Sequence, residues 1–139
     1  DVRYAAPNAR MNVAMAKIGL TGCDMGISYF LPRAVGPAVA AELMYTGRFI
    51  NAERALRVGL VNDVVPEEEL METARTLAHE MLAMSPVGLR LTKDGLSLAQ
   101  EASSLTSVVS LEDRGQTMCF DAFMKEGVAA FREKRTPQS

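Results

Sequence analysis

The side chains able to act as nucleophiles, bases or metal ligands are few and scattered in this chain. Its single histidine, His79, lies between Ala78 and Glu80 in a segment of helical periodicity, where a surface or boundary position is the ordinary interpretation. Cys23 and Cys119 are far apart and lack CxxC spacing, so we expect free thiols in a reducing cytoplasm. These residues predict no metal centre.

Asp24 is the acid of a glycine-bearing loop, Gly19-Leu20-Thr21-Gly22-Cys23-Asp24-Met25-Gly26. Apolar residues with helical spacing follow the loop, and aspartate is one of the preferred N-cap residues of a helix. From the residues alone, Asp24 is therefore predicted to cap a helix that begins near it.

Composition and charge exclude several classes of protein. With 48% hydrophobic and 23% charged residues, the 139-residue chain has the composition of one modest globular domain. Its net charge of −2 and pI near 5.5 argue against binding to a nucleic-acid backbone, which normally requires a basic patch. No apolar run approaches the roughly 18–20 residues of a bilayer span, so we expect no membrane segment.

Strand-like patterns are short and lie in the first part of the chain. Residues 1–6 and 10–16 are predicted as extended segments separated by a Pro7-Asn8 turn, and residues 60–65 contain a further short strand. This is too little strand for a self-contained sheet domain. Because the chain opens in mid-strand, we expect a preceding segment to be needed.

Helical segments are marked by caps and breakers. Asn51 is a predicted N-cap, and the Ser85-Pro86 pair is predicted to start a helix. Pro66 followed by Glu67–Glu69 predicts a helix start rather than a metal site, and Pro32 predicts a kink or break. The predicted helices are residues 24–31, 37–45, 52–57, 67–84, 86–99, 105–124 and 127–135.

An ordered series of short motifs resembles the crotonase superfamily, specifically the enoyl-CoA hydratase/isomerase family. Any one motif is weak, but together they occur in family order and spacing over nearly the whole chain. They are Lys17-Ile18-Gly19-Leu20, residues 29–36, Glu42-Leu43, Thr46-Gly47-Arg48, residues 52–55, residues 59–62, Val64-Val65-Pro66, Leu70, Ser85-Pro86, Lys93, residues 123–127, Ala130-Phe131 and Glu133-Lys134-Arg135.

The resemblance implies an α/β fold: a remnant of the crotonase ββα spiral in residues 1–65, followed by a helical trimerisation region in residues 66–139. It also implies a homo-oligomer, a trimer or hexamer. Full members of the family are longer than this chain. The resemblance places both oxyanion-hole amides, the first catalytic glutamate and most of the adenine pocket before Asp1, so the active site needs an N-terminal segment.

The chemistry implied by the resemblance is that of acyl-CoA thioesters. Two backbone N–H groups stabilise an enolate-like oxygen, and such preorganised donors are often worth about 3–4 kcal/mol each in the reaction barrier. Carboxylates then move a proton or activate water at the neighbouring carbons. We expect no separate cofactor, since coenzyme A is carried by the substrate.

The same resemblance assigns candidate site residues. Met15 stands where hydratases carry their second catalytic glutamate, and methionine cannot carry a proton; Met15 and Gly22 are expected to line the substrate site. Asp24-Met25-Gly26 is similar to the Asp-Val-Gly of dienoyl-CoA isomerases, which makes Asp24 the candidate catalytic acid. Phe131 and Lys134 match residues that contact coenzyme A, although a solvated helix end is an equally good interpretation of Lys134.

Two hypotheses of function follow. In the first, the chain is the C-terminal part of an acyl-CoA hydratase or isomerase that is active only with its N-terminal segment. In the second, it is a catalytically inactive, truncated or split homologue that serves as an oligomerisation or interaction module.

Overall fold

The computed structural model describes residues 1–120, 122–135 and 137. The chain forms two compact units, a first unit of Asp1–Arg75 and a second unit of Thr76–Ser139. The boundary proposed from the sequence after residue 65 concerns the family's spiral and helical regions, and it stays a prediction.

Two short parallel strands tie the ends of the first unit together. β1 (Tyr4–Ala5) pairs with β4 (Asp63–Val64), with Tyr4 opposite Asp63. The Arg3 guanidinium donates to the Leu60 carbonyl oxygen beside this pair. The predicted strands at both positions are therefore present, although each is only two residues long.

A second pair is antiparallel and joins β2 (Arg10–Met11) to β3 (Ile50–Asn51), with Met11 opposite Ile50. The predicted extension of the strand through residue 16 is wrong, because Ala14–Ile18 form a 3-10 helix. That helix ends at Gly19, whose φ of 82° lies in the left-handed region that favours glycine. The apolar alternation at residues 11, 13 and 15 misled the prediction, because Met11 in β2, Val13 before the 3-10 helix and Met15 within it all face the core without forming one strand.

Four helices follow in chain order: α1 (Ile27–Val35), α2 (Pro37–Thr46), α3 (Ala52–Arg57) and α4 (Leu70–Leu82), the last preceded by a 3-10 turn at Glu67–Glu69. α1 runs through Pro32, so the expected break does not occur. Pro32 lies inside the helix, so the Ser28 carbonyl lacks the backbone donor that another residue at position 32 would supply.

The core of the first unit is built from small and β-branched side chains. Ile50 is its largest fully buried residue, at 1% exposure, and Ala52 and Ala55 allow α3 to approach closely. Asn51 caps α3 as predicted, its side-chain oxygen accepting from the Arg54 N–H at 2.9 Å. The cluster is Ala5, Val13, Leu43, Ile50, Ala52, Ala55 and Val61.

An ion pair links α2 to α3 at the edge of this core. The Arg54 Nη1 and Nη2 atoms donate to the two Glu42 oxygens at 2.8 and 2.6 Å, and Arg48 adds a contact of 3.1 Å to Oε1. Hydrogen bonding and charge from Arg54, assisted by Arg48, hold the pKa of Glu42 below its ordinary value. Glu42 in turn raises the pKa of Arg54.

The second unit is helical in its described residues. α5 (Pro86–Ala99) starts where it was predicted, with the Ser85 hydroxyl accepting from the Gly88 N–H at 3.2 Å. The single helix predicted over residues 105–124 is wrong: α6 (Leu105–Met118) ends before Cys119, and α7 (Ala122–Glu133) follows. No glycine or proline marks this break. None of the helices in the described ranges is long and apolar enough to cross a bilayer.

Candidate active site

The loop around Asp24 is a tight turn held by its own backbone. The Asp24 carbonyl accepts from the Ile27 N–H at 2.9 Å, and the intervening Met25 and Gly26 have φ values of 50° and 81°. Two successive positive φ values define a turn of the I′ kind. Met25 is unusual there, because a residue with a Cβ adopts this region at a cost.

The Asp24 side chain supports this turn and does not cap α1. Its Oδ1 accepts from the Met25 N–H at 2.8 Å, whereas the N-cap position of α1 is Gly26, which has no side-chain capping bond. The predicted N-cap role is therefore wrong, because the turn separates Asp24 from the first helical residue, Ile27. The exposed carboxylate reaches solvent at the head of the loop.

Gly22 lies where the loop passes the C-terminal end of α2. A Cβ at this position would lie 2.9 Å from the Met44 carbonyl oxygen and 3.4 Å from the Met44 Cβ. The 2.9 Å distance is shorter than a real Cβ tolerates, so glycine is required here for close packing. A packing requirement is compatible with the predicted place of Gly22 at the substrate site, which stays a prediction.

Met15 lies in the 3-10 helix and packs, partly buried, against the core of the first unit. Its carbonyl oxygen accepts from the Leu20 N–H at 3.2 Å, which anchors the start of the Asp24 loop. Its thioether is apolar and cannot exchange a proton. The match of this position to the second hydratase glutamate stays a prediction; the side chain found there is a partly buried methionine packed against the core.

An apolar cavity of about 300 Å³ opens beside the loop, entirely within the first unit. Met25 and Phe30, 87% and 65% exposed, form part of its wall, together with Met11, Val13, Ile27 and Leu31. Sequence reasoning missed this cavity. The signal was present, because Ile27, Phe30 and Leu31 recur at the spacing of one helical face.

The two candidate coenzyme A contacts lie at the end of α7. Phe131 is 85% exposed, and the Lys134 N–H donates to the Phe131 carbonyl at 3.3 Å. The structure thus brings these two residues together. Met15, Gly22 and Asp24 all belong to the first unit.

The two thiols are free, as predicted, with Cys23 exposed and Cys119 half-buried. Among the described residues no group of three histidine, cysteine or acidic side chains comes close enough to bind a metal ion. Within this loop, Asp24 supplies an exposed carboxylate and Cys23 an exposed thiol.

Comparisons with known proteins define the class first. The fold matches a probable enoyl-CoA hydratase/isomerase from Mycobacterium abscessus with a TM-score of 0.93 and 36% identity, covering 99% of this chain and 54% of that one. An enoyl-CoA hydratase from Bacillus anthracis matches with a TM-score of 0.93 and 33% identity, covering 99% and 53%. The architecture is therefore that of the crotonase fold, as predicted.

The sequence comparisons narrow the class to a family. A profile of the enoyl-CoA hydratase/isomerase family matches residues 1–139. A probable enoyl-CoA hydratase of Mycobacterium tuberculosis is 40% identical over 99% of this chain and 49% of its own length. A crotonyl-CoA hydratase of Syntrophomonas wolfei is 37% identical over 97% and 52%.

The chain belongs to the enoyl-CoA hydratase/isomerase family, which confirms the resemblance inferred from its motifs. It spans about half the length of the curated relatives that it matches.

Proposed function

We propose that this chain is the C-terminal part of an enzyme that acts on acyl-CoA thioesters through a stabilised enolate. The observation that carries the proposal is the match of all 139 residues to the family. The oxyanion-hole amides would come from the half of the family fold that residues 1–139 do not cover. The reaction is then hydration or isomerisation of an enoyl group, with coenzyme A carried by the substrate.

Asp24 is the acid–base group of this proposal. Its Oδ1 is engaged by the Met25 N–H, and within the described residues Oδ2 has no hydrogen-bond partner. The carboxylate is exposed, and the neighbouring Met25 lines the apolar cavity. A carboxylate fixed through one oxygen, with the other open, is suited to moving a proton at a substrate carbon.

Phe131 and Lys134 contact coenzyme A in this proposal, the ring offering an apolar surface and the ammonium group pairing with a phosphate. The enzyme would be a homotrimer or a hexamer. Both statements rest on the family resemblance and on the exposure of the two side chains.

The test is Asp24→Asn in the protein of natural length, assayed with enoyl-CoA and dienoyl-CoA substrates. Asparagine keeps an oxygen for the Met25 N–H but cannot transfer a proton, so turnover should fall by roughly 10²–10⁴-fold. Asp63→Asn is a matched control, because Asp63 is also exposed and accepts from the following N–H, of Val64, at 2.7 Å. Equal turnover in the two variants would refute the catalytic role of Asp24.

A second candidate function is favoured by Met15. A partly buried apolar side chain at the expected position of a glutamate fits a homologue that has lost catalysis and serves in oligomerisation or binding. Measuring the native mass and titrating the protein with coenzyme A distinguishes the two candidate functions. A stable oligomer of this chain length that does not bind coenzyme A supports the module; coenzyme A binding by a protein of about twice this length supports the enzyme.

A further inference from the structure

The chain turns sharply at the end of α7, and Lys134 occupies the turn. Lys134 has a φ of 53°, a left-handed conformation that favours glycine. The Arg135 N–H donates to the Ala130 carbonyl at 3.0 Å, and the Lys134 N–H donates to the Phe131 carbonyl. This pair of bonds is that of a Schellman cap, in which the left-handed position is most often glycine.

The Arg135 side chain fastens this turn to the helix. Its Nη1 and Nη2 atoms donate to the Glu126 Oε1 and Oε2 atoms at 2.5 and 3.3 Å, and its Nε donates to the Glu133 Oε2 at 2.6 Å. These contacts hold the pKa of Arg135 above its ordinary value. One guanidinium, which follows the bend, thus folds back over the last two turns of α7 and binds two carboxylates that precede the bend.

Arg135 and Lys134, adjacent in the chain, differ in whether their positive charges are paired with carboxylates. Arg135 uses its donors on Glu126 and Glu133, whereas Lys134 is exposed and forms no ion pair with another described residue. If Arg135 were absent, Glu126 and Glu133 would lose the cation that pairs with them, and Lys134, which follows Glu133 directly, would be available to take its place. The turn would also lose the side chain that holds it to the helix.

We propose that Arg135 is a positioning residue that holds Lys134 in its left-handed turn, and keeps Glu126 and Glu133 from capturing its ammonium group, so that Lys134 can bind a phosphate of coenzyme A. The inference rests on the proposed function, because it deepens the role given there to Lys134. Arg135 itself does not touch the ligand.

The experiment is a double-mutant cycle on coenzyme A affinity, measured by titration calorimetry with the protein of natural length. Arg135→Gln should raise the Kd roughly tenfold, the size expected for losing one charge-assisted hydrogen bond. In a Lys134→Ala background the same change should alter the Kd by less than about twofold, because its effect passes through Lys134. A structural or direct role of Arg135 would instead give the tenfold loss in both backgrounds and overturn the proposal.

Arg132→Gln is the matched control, since it removes one exposed arginine from the same helix end. An equal rise in Kd for Arg132→Gln and Arg135→Gln would reduce the effect to net charge and also overturn the proposal. If the unmodified protein does not bind coenzyme A, both the proposed function and this inference are refuted. If the unmodified protein binds and Arg135→Gln binds equally well, only the positioning role fails.

Discussion

The two compact units of the chain bury apolar surface very differently. The first unit encloses a cluster around Ile50 and Leu43, which are 1% and 2% exposed. In the described part of the second unit, Ala130 is the one buried apolar residue, while Leu105 and Phe131 remain 79% and 85% exposed. Helices with so much exposed apolar surface gain little from packing within their own unit, so local signals must contribute more of their stability.

The largest expected effect is the loss of stability when a buried side chain of the first unit is shortened. Ile50→Ala should lower the free energy of unfolding by about 3 kcal/mol, because it removes a fully buried side chain and leaves a cavity. Leu105→Ala, a change of similar size at an exposed position, should stay within about 0.5 kcal/mol. Urea unfolding measures both values.

A large loss of stability from Leu105→Ala would contradict this difference between the units, because it would show that Leu105 is buried in the assembled protein. That result would favour the homo-oligomer proposed above. Repeating the measurement at several protein concentrations would identify it, since the stability of an oligomer depends on concentration.

Replacing a glycine by alanine should change stability in opposite directions in the two units. Gly22→Ala should destabilise the protein by about 2 kcal/mol, because its Cβ would lie 2.9 Å from the Met44 carbonyl oxygen. Gly95→Ala, inside α5, should stabilise it by about 0.5–1 kcal/mol, since a Cβ there meets nothing within 4 Å and alanine is the better helix former. Thermal unfolding of both variants tests the signs, and stabilisation by Gly22→Ala would contradict the close approach.

In both units, elements could be predicted where a local sequence signal marks them. The starts of α3 and α5 were predicted correctly, because Asn51 and the Ser85-Pro86 pair are local signals that the structure uses as caps. Asp24 is an equally good capping residue, yet the prediction that it caps α1 failed. The reason is the positive φ of Met25, which cannot be predicted from a methionine.

The candidate site was less predictable than the helices. That Gly22 is needed for packing depends on Met44, which is distant in sequence, so the need for glycine is visible only in the fold. The ion pairs of Arg135 with Glu126 and Glu133 depend on a turn that follows α7 and has no glycine to mark it. Family resemblance supplied Phe131 and Lys134, whereas periodicity alone would have left both on a solvated helix end.

The smallest expected change in stability comes from breaking either of the two bidentate arginine–glutamate pairs. Arg54–Glu42 joins α2 to α3 in the first unit, whereas Arg135–Glu126 closes the end of α7 in the second. Because the pKa of Glu42 is lower in the folded state than its ordinary value of 4.5, its contribution is present above that value and is lost as the pH falls through the lowered pKa. Stability of the unmodified protein should therefore decline on acidification below about pH 4.5, and Glu42→Gln should show less of this decline.

Glu126→Gln is the control for that measurement, because it breaks a pair of the same chemistry within one helix end rather than between two helices. We expect Glu42→Gln to lower the denaturation midpoint near neutral pH more than Glu126→Gln, since only the first change weakens a contact between packed helices. The difference should shrink in high salt, because the Glu42 and Arg54 side chains remain 30% and 31% exposed and their attraction is screened. If the two variants had the same midpoint and the same acid profile, the pair would have no tertiary role, and the core around Ile50 would hold the first unit together without it.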